Sequence, residues 1–379
     1  MPPSADGAIE IHGGNRIAAA RRLGCAPSRL LDASASLVPF GPPAGLRRLL
    51  RRALDGAAAS PLRDYPERGY ASLRAALAAH HGLPADGVLP GNGAADLFTW
   101  AARDAAAAGL NLLPAPGFAD YGRALACWGG RSAPQRLPLR WDDRFPTPFP
   151  DPPAGDVLWL CNPHNPTGQL WSRASLEPLL GRFALVIADE AFLPLVPGGE
   201  AQSLVPLLAR HRNLVVIRSL TKLFAIAGLR LGYALASPER LARWAAWRDP
   251  WPVNGLAALA GEALLGDGAA YARWSARVER WVAWEGTWLR QRLAELPDLA
   301  PMPSATNFLL VRGERQGRPL DLEPLRRSLE EDHRILLRDC RSFNGLGSGW
   351  LRIALLDRPS HRRLLRALAH QVGRRPLAT

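Results

Sequence analysis

The sequence predicts an α/β protein in two parts: a large domain with a mainly parallel central sheet flanked by helices, and a smaller α+β domain. Three observations carry that expectation. Short, unbroken apolar runs end in polar turns rich in Gly or Pro. Helical patterns separate several of these runs. The pattern then changes after residue 250, where one long amphipathic stretch precedes a fresh set of short apolar runs. Unbroken apolar strands alternating with helices are what a sheet buried on both faces requires.

Residues 1–45 read as an N-terminal arm that joins the smaller domain, 46–250 as the large domain, and 251–379 as the C-terminal small domain. Early in the large domain, Arg47, Arg48, Arg51 and Arg52 have the spacing of the exposed face of a helix. Gly91-Asn-Gly-Ala-Ala-Asp96 then leads into a helical run, Leu97 to Ala108. The Pro-rich stretch 138–155 reads as a surface connection. Four strands follow: Val157 to Cys161, Ala184 to Ala188, Leu214 to Ile217 and Leu231 to Ala236. Tyr271 to Leu296 predicts a long helix whose stripe of Tyr271, Trp274, Val278, Trp281 and Trp288 is core packing rather than a cofactor box. Asn307 to Val311, Ile335 to Arg338 and Trp350 to Leu355 read as strands of the small domain.

Composition narrows the function classes. Hydrophobic residues at 47% and charged residues at 21% describe a globular chain, not a disordered one. The first fifteen residues show no basic-then-apolar leader, and no run approaches the roughly 20 apolar residues that cross a bilayer. The four cysteines (Cys25, Cys127, Cys161, Cys340) are scattered, with no CxxC pair. The expectation is therefore a reduced cytoplasmic protein with no disulfide framework and no metal site. A net charge of +13 raises nucleic acid as a partner, but the basic residues are spread along the whole chain and no nucleic-acid-binding motif accompanies them. A solvated arginine surface that also suits small anions fits better.

Of 47 Lys and Arg residues, only Lys222 is a lysine. It lies in SLTKLFAIAGLRLGY, just past an apolar strand. A lysine can shed a proton, attack a carbonyl and form an imine, whereas a guanidinium is too basic to do so. Two other strands end in comparable chemistry. Val157 to Cys161 runs into Asn162-Pro-His-Asn165-Pro-Thr-Gly168, and Ala184 to Ala188 runs into Asp189-Glu190. Ligands of open α/β sheets bind beyond such strand ends, so Asn165, Asp189 and Lys222 converge if the strands are neighbours. Pyridoxal phosphate would use this set: an amine for its aldehyde, an acid beside its ring nitrogen and an anion site for its phosphate. The GNGAAD turn before a helix, with Ser219 and Arg230, suits the phosphate. Asp189-Glu190 alone reads equally well as a helix N-cap pair.

The motifs GNGAADL, PGFADY, NPHNPTG, DEAF, SLTKLFAIAGLRLGY and LRIAL, in that order, make the chain resemble the fold-type I, aspartate-aminotransferase-like pyridoxal-phosphate enzymes. The resemblance implies a homodimer in which 46–250 holds the cofactor. By it, Lys222 carries the cofactor, Asp189 pairs with the pyridine nitrogen, Asn165 bonds the ring oxygen and Tyr121 stacks on the ring. Ala94 and Ala95 give backbone N–H groups to the phosphate beside Ser219 and Arg230, and Tyr65 reaches the neighbouring subunit's cofactor.

Within that superfamily, HGGN (His12 to Asn15), PGFADY, DEAF and RDCRSFNGL resemble the threonine-phosphate decarboxylases of cobalamin biosynthesis. The histidinol-phosphate aminotransferases are the alternative, and usually have tyrosine where DEAF has Phe192. The decarboxylase resemblance implies a phosphorylated amino acid as substrate, contacted by His12, Gly13, Ser36, Asn165, Arg338 and Arg352. Ser36, in DASASLVPFGPP, stands where that branch has an asparagine. A non-enzymatic, DNA-binding relative of the same fold is a third reading, against which no helix-turn-helix segment precedes the core.

Overall fold

The computed structural model describes residues 12–55, 60–142 and 144–374; the stretch 1–11, most of the segment searched for a leader, lies outside these. Seven strands form the larger sheet in the order Val88–Asn92, Leu231–Leu235, Leu214–Ser219, Leu185–Asp189, Val157–Cys161, Asn111–Ala115, Ser132–Arg136. All run parallel except Leu231–Leu235, which is antiparallel to both its neighbours. The four apolar runs read from the sequence are its centre, and every residue in them is buried except Ala184, which precedes its strand. Alternation along each strand sends side chains to opposite faces. Leu158, Leu160, Val186, Ala188 and Val216 join one core, whereas Val157, Trp159, Ile187, Val215 and Ile217 join a second on the other face. Each Val, Leu and Ile among them contributes roughly 1.5–3 kcal/mol by leaving water.

Two of these strands run further than their apolar runs. Leu185–Asp189 and Leu214–Ser219 take in the polar residues at their carboxyl ends. The backbone ladder is indifferent to side-chain polarity wherever a cleft or a buried partner receives the polar group. The helix after GNGAAD is also longer than its apolar pattern, spanning Ala94–Ala108.

The smaller sheet has the order Leu31–Ala33, Ile335–Asp339, Trp350–Ala354, Phe308–Arg315, Arg318–Pro319, with Leu299–Pro301 also paired to Phe308–Arg315. Its one parallel pairing joins Leu31–Ala33 to Ile335–Asp339. The long helix, Gly268–Ala294, starts at Asp267, whose carboxylate accepts from Ala270 N at 2.9 Å. Its aromatic stripe packs on the main core, as the spacing predicted, and also ties elements together. Trp274 Nε1 donates to Leu223 O at 2.8 Å, and Trp281 Nε1 to Leu356 O at 3.2 Å. Arg47, Arg48, Arg51 and Arg52 are exposed on the helix Ala44–Asp55. All four cysteines are free. Among the described residues no helix is long and apolar enough to cross a membrane.

Candidate active site

Strand order brings the three marked strand ends together. Leu185–Asp189 lies between Val157–Cys161 and Leu214–Ser219, with Cys161 opposite Asp189 and Asp189 opposite Ile217. Beyond these ends opens a cleft of about 700 Å³. Asn165, Asp189, Ser219, Lys222, Arg230, Ala94 and Ala95 line it, together with His12, Gly13, Ser36, Arg338 and Arg352. Twelve of the sequence-marked residues thus share one cavity.

Lys222 belongs to the short helix Leu220–Phe224, capped by Ser219, whose hydroxyl accepts from Thr221 N at 3.2 Å. Burial brings the Lys222 amine down to a pKa of about 8; Asp189 opposes the shift, and the cations Arg230 and Arg352 add to it. Asp189 is fully engaged. Its Oδ1 accepts from Ala191 N at 2.9 Å and its Oδ2 from the Tyr121 hydroxyl at 2.5 Å. Burial raises its pKa, while those two hydrogen bonds and Lys222 pull it back. The N-cap alternative for Asp189-Glu190 does not describe the structure: Asp189 closes a tight turn onto Ala191, and Glu190 pairs with Arg218 at 2.7 Å.

At the other end of the cleft floor, Gly93 (φ +77°) precedes the helix bearing Ala94 and Ala95. A Cβ on Gly93 would run into the Arg230 guanidinium, and one on Gly232 would lie 2.7 Å from Ala94 N. Glycine is required at both places for the backbone and the cation to approach this closely. A helix start with a guanidinium alongside is a site for a phosphate group.

The two asparagines of NPHNPTG divide their labour. Asn162 ties the loop by accepting from Trp171 N at 2.8 Å and donating to Trp171 O at 3.0 Å. Asn165 faces the cleft, where its Oδ1 accepts from Arg352 Nη1 at 2.6 Å. His164 is structural, bridging Thr167 Oγ1 (2.7 Å) and Pro116 O (2.8 Å).

The remaining wall comes from the small sheet and the N-terminal segment. Arg338 and Arg352 stand opposite each other on adjacent antiparallel strands. Arg338 donates to Ser342 Oγ at 2.7 Å and to Asp339 O at 3.0 Å. Arg352 also donates to Ser34 O at 3.2 Å, but its Nε has no partner. Among the described residues, no carboxylate lies within ion-pair distance of Arg352. Burial and the nearby Arg338 bring its pKa down to about 9. The Ser36 hydroxyl is likewise buried on the cleft without a partner. Gly13 packs so closely on Ser34 that a Cβ would collide with its carbonyl, and Gly14 N donates to Ser34 Oγ at 2.9 Å. Two orphaned polar atoms in one cleft mark places where a bound molecule supplies the missing partner.

Two residues marked from the sequence lie outside this cleft. Tyr121, expected to stack on the ring, does not line the cleft: it is buried beneath Phe118, 5.6 Å between ring centroids, with its phenol on Asp189. A hydroxyl that reaches a buried carboxylate is drawn under the floor. Phe118 and Phe98 are the aromatic rings on this side of the cleft. Tyr65 is 81% exposed, packed against Trp251 at 4.7 Å and outside the cleft of its own chain. Arg16, Asp32, Asp120, Thr221 and Phe343 also line the cleft and were not singled out. All five lie in or within a few residues of marked motifs, which was the available signal.

A lone lysine with a depressed pKa, a buried acid, and a helix start crowded by an arginine define a pyridoxal-phosphate site. The chain belongs to the aminotransferase class I and II family, whose model matches residues 42–368. It is 39% identical over 373 residues to the threonine-phosphate decarboxylase of Salmonella typhimurium, covering 94% of this chain and 95% of that one. Among solved structures it resembles L-threonine-O-3-phosphate decarboxylase from Porphyromonas gingivalis, at 25% identity and a TM-score of 0.76, covering 91% of this chain and 100% of the other. The fold also matches histidinol-phosphate aminotransferase from Sinorhizobium meliloti in complex with pyridoxal-5'-phosphate, at 21% identity and a TM-score of 0.77, covering 98% and 97% of the two chains.

Proposed function

We propose that the protein is a pyridoxal-phosphate-dependent decarboxylase that converts L-threonine O-3-phosphate into (R)-1-aminopropan-2-yl phosphate and carbon dioxide, in cobalamin biosynthesis. The observation that carries this reading is the pair Arg338 and Arg352, in register on neighbouring strands and facing the cleft of Lys222. A substrate with a carboxylate and a phosphate gives each guanidinium an anion. For Arg352, such an anion removes the cost of a buried cation that lacks an acid.

The residues of the cleft divide the work. Lys222 attaches the cofactor covalently. Asp189 keeps the ring nitrogen protonated, and Asn165 offers its amide N–H to the ring oxygen. The backbone at Ala94 and Ala95, with Ser219 and Arg230, holds the cofactor's phosphate. Bound there, pyridoxal phosphate supplies an electron sink for the pair left behind when the carboxyl group departs. Arg352 and Arg338, with His12, Gly13 and Ser36, would fix the substrate's two anionic groups and so select which bond at Cα breaks. The Lys222 amine, freed when the substrate's amino group takes its place and sheds a proton to it, would then return that proton to Cα. Phe192 lines the cleft without a phenol that could compete for the ring oxygen.

The reading extends to a cytoplasmic homodimer, divided as 1–45, 46–250 and 251–379, in which the exposed Tyr65 reaches the cleft of the second subunit. Free cysteines and an outward-facing Tyr65 support it.

Purified protein given L-threonine phosphate should release carbon dioxide without 2-oxoglutarate. Glutamate-dependent conversion of the cofactor to its amine form, with no carbon dioxide from phosphothreonine, would replace this reading with the aminotransferase.

A further inference from the structure

Directly behind the cleft lies a second charged cluster, which faces away from it. Arg218 is 1% exposed and Glu190 is fully buried. Arg218 Nη2 lies 2.7 Å from Glu190 Oε2, and its two Nη atoms donate to Glu200 at 2.7 and 3.0 Å. Ser203 Oγ accepts from Arg218 at 2.8 Å and donates to Glu190 at 2.9 Å, while Leu204 N donates to the other Glu190 oxygen at 2.7 Å. Burial alone would depress the Arg218 pKa; Glu190 and Glu200 hold it raised, so the arginine stays charged.

Such a pair is a poor stabiliser. Removing two ions from water is costly, and apolar replacements of similar volume are often as stable or more so. Here the geometry is also incomplete, since Arg218 Nε has no partner. The cluster's position in the chain suggests what it does instead. Glu190 directly follows Asp189, and Arg218 directly precedes Ser219. Alternation along parallel strands puts Asp189 and Ser219 on the cleft side and the charged pair on the other. Glu190 N also donates to Ile217 O at 2.9 Å, so backbone and side chain fasten the same junction.

We propose that Glu190 and Arg218 are positioning residues. Their pairing locks the strand end carrying Asp189 against the strand end carrying Ser219 and Lys222. It thereby sets the spacing between the acid for the cofactor ring and the site for its phosphate. The proposal rests on the reading of the cleft as a pyridoxal-phosphate site.

The test compares cofactor affinity with thermal stability of the apoprotein, using pyridoxal phosphate as the probe. The double variant Glu190→Leu/Arg218→Met should unfold at or above the wild-type temperature, yet bind pyridoxal phosphate about tenfold more weakly. Glu190→Gln keeps the shape but loses the charge and one of the two acceptors that Leu204 N, Ser203 and Arg218 use, and should weaken binding by about threefold or more; it decides the matter alone if the double variant does not fold. Affinity within about twofold of wild type in the folded variants overturns the proposal. A wild-type apoprotein that takes up no pyridoxal phosphate overturns the cofactor reading and the proposal with it.

Discussion

The Lys222 amine lies 5.5 Å from the centroid of the Phe192 ring. That wall of its surroundings is therefore a hydrocarbon face, and the charges that govern the amine lie elsewhere. Asp189 retains its proton, whereas Arg230 and Arg352 expel it along with burial, bringing the pKa to about 8. Only the neutral amine can form a covalent bond to an aldehyde. The rate of cofactor uptake by the apoprotein should rise with pH through about 8 and then level off. Arg352→Gln removes one of the expelling cations, so the midpoint should move upward. Stopped-flow absorbance across pH measures both, and a flat profile would contradict the assignment.

Lys222→Arg preserves the charge and, with the local packing, the fold. A guanidinium cannot deprotonate usefully, so turnover should fall roughly a thousandfold or more with little change in melting temperature. Borohydride treatment followed by peptide mapping should find the pyridoxyl label on position 222 in the wild type and nowhere in the variant.

Arg352 makes opposite predictions for stability and function. With no acid at hand among the described residues, it is a buried cation on the cleft wall. Arg352→Met should leave the apoprotein as stable as wild type or more so, while raising the KM for phosphothreonine by about a hundredfold. A melting curve and steady-state kinetics on one preparation read both effects.

Tyr121→Phe separates two roles for that ring. Its phenol donates to Asp189 at 2.5 Å inside the floor of the cleft. Deleting the hydroxyl leaves a buried carboxylate oxygen short of a donor, at a cost of about 1–3 kcal/mol in apoprotein unfolding. A ring that only stacked on a cofactor would lose nothing in the apoprotein, so denaturant unfolding without cofactor discriminates.

The central sheet was legible because its strands are apolar on both faces, and only a doubly covered sheet can bury such runs. The residues that gather in the cleft were legible for a related reason. Asp189, Asn165 and Lys222 are polar groups placed just where an apolar strand stops, and Lys222 stands out against an arginine background. What stayed hidden depends on contacts distant in sequence. Nothing near Tyr121 signals that its hydroxyl reaches Asp189. Arg218 looks like any other arginine until the fold removes it from water beside Glu190. The edge strand Leu31–Ala33 is three residues long, too short to show a period, and is defined only by its partner Ile335–Asp339.

That parallel pairing has a consequence for how the protein is made. Ser34 and Ser36, just past Leu31–Ala33, are made long before Ile335–Asp339, the strand beside which that segment is anchored. Nascent chains stalled before Ile335 contain Lys222, Asp189 and the Gly93–Arg230 corner, but lack the strands that carry Arg338 and Arg352. Competence for chemistry is thus deferred until Ile335–Asp339 has been made, so a chain cut before that strand should be unable to act on phosphothreonine.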